Sequence, residues 1–328
     1  MANNHEQFIG FHNAITITEL KKETLKKNRK TLRDRIKNYY QREHEDELAP
    51  KFRPQGSYAM ETLLEPIKQE DGLGVFDLDD GVYFIDDIAN RKSISHYHNR
   101  ILAAVNGHTK QTPQDKTTCV RVEYSDGHHI DLPIYFKKPE NDAIPTLAHK
   151  TKGWIDSDPK EFWIWFNGKA ANMPQLRRIV KYLKAWCDYK ESQNSAINMP
   201  SGCILTILAV QYFEENPDRD DIALKNVLVQ MYTSLSANFV CNRPTTPKGE
   251  NLFEGYSDTR RNDFLTRLSS FKDDAERAIN TSNQKDACEK WQRHLGDRFS
   301  CSTAKDEDEE NARQFSNPTI LKGNSKFA

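Results

Sequence analysis

The chain has 328 residues, of which 37% are hydrophobic and 29% charged, and a formal net charge of −1. That length suffices for two domains or one large bilobed one. The near-neutral sum disfavours a general nucleic-acid binder, whose affinity rests on neutralising phosphates, and no run approaches the roughly 18–20 apolar residues of a membrane-spanning helix. The start, M-A-N-N-H-E-Q, has no apolar signal core, so a cytoplasmic protein is expected.

In chain order, residues 19–44 read as a long basic helix with Leu25, Leu32, Ile36 and Tyr39 on one face and solvated lysines on the other. Gln55-Gly56-Ser57 follows. Val75 to Phe84 alternates as a strand does, and so do Thr118 to Tyr124 and His129 to Phe136, which Ser125-Asp126-Gly127-His128 joins as a hairpin. Lys138 to Pro159 reads as a connection, and Phe162-Trp163-Ile164-Trp165-Phe166 as aromatic packing between lobes rather than stacking platforms.

Leu176, Ile179, Leu183 and Trp186 recur at helical spacing over Gln175 to Tyr189, which puts Lys184 one residue past a core position. Residues 202–213 are apolar nearly all round and predict a buried helix, with Ser201 as its N-cap and its first turn open to an anion. Helical patterns at 220–239 and 258–280 flank a Pro-rich loop, Asn242 to Glu254, and from about Ser302 the chain reads as a flexible acidic tail. The six cysteines (Cys119, Cys187, Cys203, Cys241, Cys288, Cys301) form no C-x-x-C pair and are expected as reduced thiols, not as a zinc finger or a disulfide scaffold. His96, His98, His128 and His129 are expected solvated or at a hairpin tip, without a catalytic role.

The chemistry lies in the acids. In a strand through V-F-D-L-D-D-G, Phe76 and Leu78 point to one face while Asp77 and Asp79 stand about 7 Å apart on the other. Like charges that close are unfavourable without a cation, and carboxylate oxygens suit Mg²⁺ or Mn²⁺ better than zinc. In H-I-D-L-P-I, Ile130, Leu132 and Ile134 face the core and leave Asp131 on the opposite side. If the hairpin lies beside the Asp77 strand, three carboxylates converge, enough for a two-metal centre. Gly56 would let backbone N–H groups approach a phosphate, and Ser57 would donate to its oxygens.

These residues resemble the cGAS/DncV-like nucleotidyltransferases (CD-NTases), in the DncV-type branch of the DNA polymerase β-like superfamily. The resemblance rests on Gln55-Gly56-Ser57, Thr62-Leu63, Pro66, Asp77 to Tyr83, His129 to Tyr135, Trp154 to Lys160 and Tyr182 to Trp186, and runs from about residue 50 to 260. It implies an α/β (α+β) polymerase β-like core with a small mixed sheet over residues 1–165, a helical C-terminal lobe over 166–302, a tail over 303–328, and an active site in the cleft between the lobes. It also implies Asp77, Asp79 and Asp131 as catalytic ligands of two Mg²⁺ or Mn²⁺ ions, and Gln55, Gly56, Ser57, Lys184 and Ser201 as nucleotide-binding residues. Met60 departs from it, standing where a base-stacking aromatic is expected.

The activity so implied is joining of NTPs, ATP or GTP and also pyrimidine nucleotides, into a cyclic di- or oligonucleotide with release of pyrophosphate. Such a product would switch on an antiphage effector, and Ala328 offers a point of conjugation to a partner protein. No membrane and no nucleic-acid substrate are expected. The alternatives are a terminal transferase that extends a polynucleotide and a non-catalytic nucleotide- or partner-binding module.

Overall fold

The structure, a computed structural model, describes residues 1–68 and 74–309. In chain order its elements are α1 (His5–Ile15), α2 (Glu19–Glu43), β1 (Lys51–Pro54), α3 (Gly56–Ala59), β2 (Phe76–Ile85), α4 (Ile94–Val105), β3 (Gln114–Asp115), β4 (Cys119–Glu123), β5 (His128–Lys137), β6 (Thr146–His149) and β7 (Gly153–Asp156). They continue with α5 (Pro159–Ala170), α6 (Pro174–Gln193), α7 (Gly202–Tyr212), α8 (Asp220–Ala237), α9 (Asp258–Asn280) and α10 (Gln284–Leu295).

One mixed sheet runs β1-β2-β5-β4-β3, and β6 and β7 extend it from β5. The central pair, β2 and β5, is parallel, while β4 pairs antiparallel with β5. The turn between β4 and β5 has Gly127 at φ 90°, a left-handed conformation that costs glycine nothing. Alternation along these strands puts Leu78, Ile130, Leu132 and Ile134 on the face covered by α2 and α4, all without solvent exposure.

The helix α2 is amphipathic as its pattern predicts, with a shift of one residue at its end. Tyr40, not Tyr39, is the fully buried ring, because it follows Leu25, Leu32 and Ile36 around the helix, while Tyr39 lies at the edge and hydrogen-bonds His44. The basic face is also less free than expected. Arg33 reaches the sheet and makes a two-pronged ion pair with Asp80, Nε to Oδ2 at 2.6 Å.

The helical elements close a second core. Trp186 and Leu183 of α6, Phe271 of α9 and Trp291 of α10 are buried in it. Phe8, Phe11 and Ile15 of α1 lie in that core as well, so the N-terminal helix packs with the distant C-terminal lobe, while α2 belongs to the sheet. Asp158 caps α5 by accepting from the backbone N–H groups of Lys160 and Glu161, which starts the helical layer at residue 159.

Two expectations are corrected here. Cys288 and Cys301 are joined by a disulfide, which brings α10 and the loop after it together, while Cys119, Cys187, Cys203 and Cys241 are free. A spacing of 13 residues without a C-x-x-C gave no sign of a pair that the α10 turn brings into contact. The histidines expected in solvent are instead structural. His98 and His128 are almost fully buried and pair with Asp115 and Asp126 at 2.7 and 2.5 Å, and His129 is buried in β5.

The acidic stretch after Ser302 begins ordered. Asp306 and Asp308 accept from Asn283 Nδ2, and Glu307 accepts from the backbone N–H of Gln284, so these acids sit at the N-terminal end of α10, where its dipole favours them. Ala328, the expected conjugation point, lies outside the described residues. No helix among the described residues is long and apolar enough to cross a membrane.

Candidate active site

The acidic centre follows from register. Parallel pairing of β2 with β5 sets Asp79 directly beside Asp131, and Asp77 beside His129. Alternation then brings Asp77, Asp79 and Asp131 out on one face, where one oxygen from each lies within 4.8 Å of the others. Burial and the charges of Asp77 and Asp131 push the Asp79 carboxyl up to about 7. Three acids so placed are costly to ionise together without a cation. An all-oxygen donor set of this kind fits Mg²⁺ or Mn²⁺.

Arg121 of β4, paired with Asp131 in the sheet, donates to it from Nε at 2.7 Å and from the terminal nitrogen at 2.8 Å. This fork fixes the orientation of Asp131 and relieves part of the repulsion, while each carboxylate oxygen keeps a further lone pair for another partner. Nothing in the one-dimensional pattern singled out Arg121. The signal was its place opposite Asp131 across the hairpin, five residues before Asp126 of the Asp126-Gly127 turn.

The Gly56-Ser57 turn leans over these acids. Gly56 has φ 66°, and a Cβ there would overlap Asp79 Oδ2, so only glycine fits both the backbone and the space. Gln55 starts the short α3, receives its position from a backbone bond to Asp79 O at 3.2 Å, and donates from Nε2 to Tyr135 at 3.3 Å. Its Oε1 is buried and has no hydrogen-bond partner among the described residues. Ser57 opens onto two adjoining cavities.

The first cavity, about 360 Å³, contains the acids Asp77 and Asp79 with Gln55, Gly56 and Ser57 on one wall, and Trp163, Thr206, Arg243 and Thr246 on the other. The second, about 780 Å³, shares Ser57, Asp77 and Lys184 with it and extends to Asp188 and Glu191. The cleft between sheet and helices thus has two chambers that meet at Ser57, Asp77 and Lys184. Met60 is buried at the wall of the first.

Lys184 sits where the chambers meet. Its ammonium donates to Thr62 O at 2.8 Å, and burial lowers its pKa despite the acids Asp188, Asp77 and Asp79 nearby. Gly202, at the start of α7, leaves room for its stem, since a Cβ there would come 3.1 Å from Lys184 Cε. Asp188, one turn further along α6, is raised to about 6 by burial. Ser201 occupies the N-cap position of α7 in its backbone, but its hydroxyl makes no cap bond. The expected capping role is therefore absent, and the exposed hydroxyl lies in a hollow of about 310 Å³ beside Lys184.

Phe162 and Phe166 are buried in the helical core as expected, and Phe162 together with the partly buried Trp163 also lines the first chamber. The Pro-rich loop reaches the same chamber through Arg243 and Thr246, held by a bond from Thr246 N–H to Glu161 Oε2 at 2.9 Å. Asp188 is absent from the residues the sequence singles out, Trp163 is expected there as packing, and Arg243 and Thr246 lie in the Pro-rich loop, which the resemblance places near the nucleotide pocket. Only Asp188 carried a local sign, its spacing of one helical turn from Lys184.

Residues 50–135, which contain Gln55 through Asp131, match the model of the nucleotidyltransferase domain of cyclic GMP-AMP synthase DncV-like proteins. That stretch of the chain is similar to the nucleotidyltransferase domain of the DncV-like family. Among similar proteins, a cyclic GMP-AMP synthase of Escherichia albertii is 29% identical over 196 residues, covering 57% of this chain and 41% of that one. A c-di-GMP synthase of Roseivirga ehrenbergii is 26% identical over 191 residues, covering 49% of this chain and 48% of the relative. The matched part thus spans less than half the length of these curated relatives. The crystal structure of Vibrio cholerae DncV cyclic AMP-GMP synthase in complex with nonhydrolyzable GTP superposes with a TM-score of 0.77 at 19% identity, over 92% of this chain and 97% of that one. That likeness in fold takes in the helical lobe as well as the matched domain.

Proposed function

We propose that the chain is a metal-dependent nucleotidyltransferase that joins NTPs into a cyclic di- or oligonucleotide and releases pyrophosphate. The observation that carries this reading is the convergence of Asp77, Asp79 and Asp131 within 4.8 Å, with Asp77 on the wall that two chambers share. A polymerising reaction on free nucleotides needs space for a donor and an acceptor, and both chambers are lined by Ser57, Asp77 and Lys184. The synthases to which the chain is similar support the class of product.

In this reading Gly56 and Ser57 offer a backbone N–H and a hydroxyl to the donor triphosphate, and Lys184 brings positive charge to it from the opposite wall. Ser201, with its free hydroxyl, donates to the same phosphates from the start of α7, and Gln55 positions the turn. Asp77, Asp79 and Asp131, the last aligned by Arg121, would hold the Mg²⁺ or Mn²⁺ ions. Bound ions of this kind make an acceptor hydroxyl easier to deprotonate and stabilise the leaving phosphate oxygen. The protein's own contribution is alignment, since in-line attack demands fixed positions for both nucleotides. The product would serve as a second messenger that switches on an antiphage effector.

The test is incubation of the purified protein with all four radiolabelled NTPs and Mg²⁺ or Mn²⁺, then phosphatase treatment and mass spectrometry, beside an Asp77→Ala/Asp79→Ala control. A phosphatase-resistant cyclic product absent from the control supports the synthase and names its bases. Linear tails would replace it with a terminal transferase, and no product with either metal would point to a binding module.

A further inference from the structure

Behind the Gly56-Ser57 turn lies a separate cavity of about 600 Å³, walled by α1, the start of α2, α3 and the first turns of α6. Chain direction separates it from the cleft. Ser57 faces the chambers described above, while its neighbour Tyr58 faces this cavity, and on α6 Lys184 lines the cleft while Lys181, three residues earlier, lines the cavity.

Its walls are cationic. Lys22, Lys26, Arg177, Arg178 and Lys181 line it, against the acids Glu19 and Glu61. Four of the five cations have an acidic partner: Lys22 with Glu19 at 2.6 Å, Lys26 with Glu23 at 2.7 Å, Arg178 with Asp220 at 2.6 Å, and Arg177 more loosely with Glu61 at 3.8 Å. Lys181 has none among the described residues. It is only 6% exposed, and its ammonium makes one hydrogen bond, to Thr16 Oγ1 at 3.1 Å.

A buried ammonium without a counter-charge is costly, and proteins rarely keep one without use. Burial and the charges of Lys22 and Lys184 lower its pKa to about 8, so at neutral pH it still carries its proton. Beside it His12, lowered to about 4 by burial and by Lys181, stays neutral with Nδ1 buried and unbonded. The cavity therefore presents a buried ammonium that no carboxylate of its walls pairs with directly. Its volume is that of a small-molecule site, and Tyr58 adds an aromatic wall.

We propose that this cavity binds a small, multiply charged anion, a phosphorylated or polycarboxylate compound whose charge faces Lys181 and Lys22. The site does not depend on the reading of the cleft, because no residue named for it belongs to the acidic centre or the Gly-Ser turn. An occupant would nonetheless touch the reverse side of the segment that carries Ser57, so its binding would be felt in the cleft.

The experiment is isothermal titration calorimetry at neutral pH in EDTA, with tripolyphosphate and citrate as separate probes. The proteins are the full chain and its Ser57→Ala, Lys181→Met, Lys181→Arg and Lys22→Ala/Lys26→Ala variants. The proposal expects one-site binding of at least one probe to the full chain and to Ser57→Ala, at least tenfold weaker in Lys181→Met and in the double variant, and retained in Lys181→Arg. Which probe binds tells phosphate from carboxylate. Lys181→Met removes an unpaired buried charge, so its melting temperature should equal or exceed that of the parent and confirm that lost binding is not lost folding. Failure of both probes at millimolar concentration overturns the proposal. So does binding that survives Lys181→Met but vanishes in Ser57→Ala, which would put the anion in the cleft, or binding of a short nucleic-acid duplex where neither probe binds.

Discussion

Asp79 and Asp80 are neighbours on one strand, yet the protein treats them in opposite ways. Asp80 points to the α2 side, buried at 1% exposure, and meets the Arg33 guanidinium. Asp79 points to the cleft, where its neighbours are two more carboxylates and its nearest help comes from Lys184 and Arg121. One acid has been given a partner from the protein and the other has been given competitors. Burial raises the Asp80 carboxyl too, against the pull of Arg33, but its charge is answered from within the protein, whereas crowded like charge is kept only where something arriving from outside relieves it. The pair thus separates a structural acid from a functional one within a single residue step.

Replacing Asp79 with Asn should break that contrast most sharply. Product formation should fall at least a thousandfold in the nucleotide assay, as expected when a ligand of a catalytic metal is lost. Stability should move the other way. The folded-state pKa of Asp79 is raised, so its contribution is fully present below the ordinary carboxylate range and is lost as pH climbs through about 7. Asp79→Asn should therefore melt higher than the parent in EDTA at pH 8, its unfolding free energy larger by no more than about 4 kcal/mol at ~1.36 kcal/mol per unit, and the two should converge near pH 4. Asp188 slopes the same way, while His12 and His294, both lowered to about 4, slope oppositely below neutrality, and all three cancel in the difference between parent and variant. Equal melting temperatures at pH 8 would show that Asp79 is not strained.

Gly56→Ala tests the same acid from above. The φ of 66° and the overlap of a new Cβ with Asp79 Oδ2 force either the turn or the carboxylate to move. Activity should drop about a hundredfold, a scale typical of small misplacements in a site that works by alignment, with about 1–2 kcal/mol lost from stability. Near-normal turnover would mean that the turn does not hold the triphosphate.

On the structural side, Asp80→Asn leaves the Arg33 charge against the sheet with half its partner gone. Chemical denaturation should report about 2–3 kcal/mol of lost stability, below the usual cost of breaking a fully buried pair because Arg33 is 24% exposed. Turnover per folded molecule should stay within about twofold, since the side chain lies on the far face of β2 from the acids. A larger loss of turnover would mean that Asp80 sets the position of Asp79 through the strand.

The acids were legible in the sequence because period-two alternation acts over two residues and needs no knowledge of the fold. Asp77, Asp79 and Asp131 were all placed on the correct face by it, and pairing of β2 with β5 supplied the convergence. What crosses the chain left no such trace. Arg33 meets Asp80 across 47 residues, α1 joins the helical core through contacts to Tyr182 across 174, and Cys288 finds Cys301 only because α10 ends between them. Trp163 and Arg243 belong to the cleft by the docking of a helix and a loop, and nothing in their own neighbourhoods distinguishes a lining aromatic from a packed one.

Ser201 gives the smallest expected effect on stability and the cleanest separation of roles. A serine at an N-cap ordinarily contributes about 1 kcal/mol through its hydroxyl, but here the hydroxyl accepts no bond from α7. Ser201→Ala should therefore change unfolding free energy by less than ~0.5 kcal/mol, the scale of an ordinary surface substitution. If the hydroxyl donates to the triphosphate, one charge-assisted bond disappears, worth about 1.5–3 kcal/mol, and the apparent affinity for NTP should weaken roughly tenfold or more. Stability lost without a change in affinity would return Ser201 to the capping role its position suggests. Affinity lost at constant stability would show that α7 leaves its first turn unsealed for a ligand.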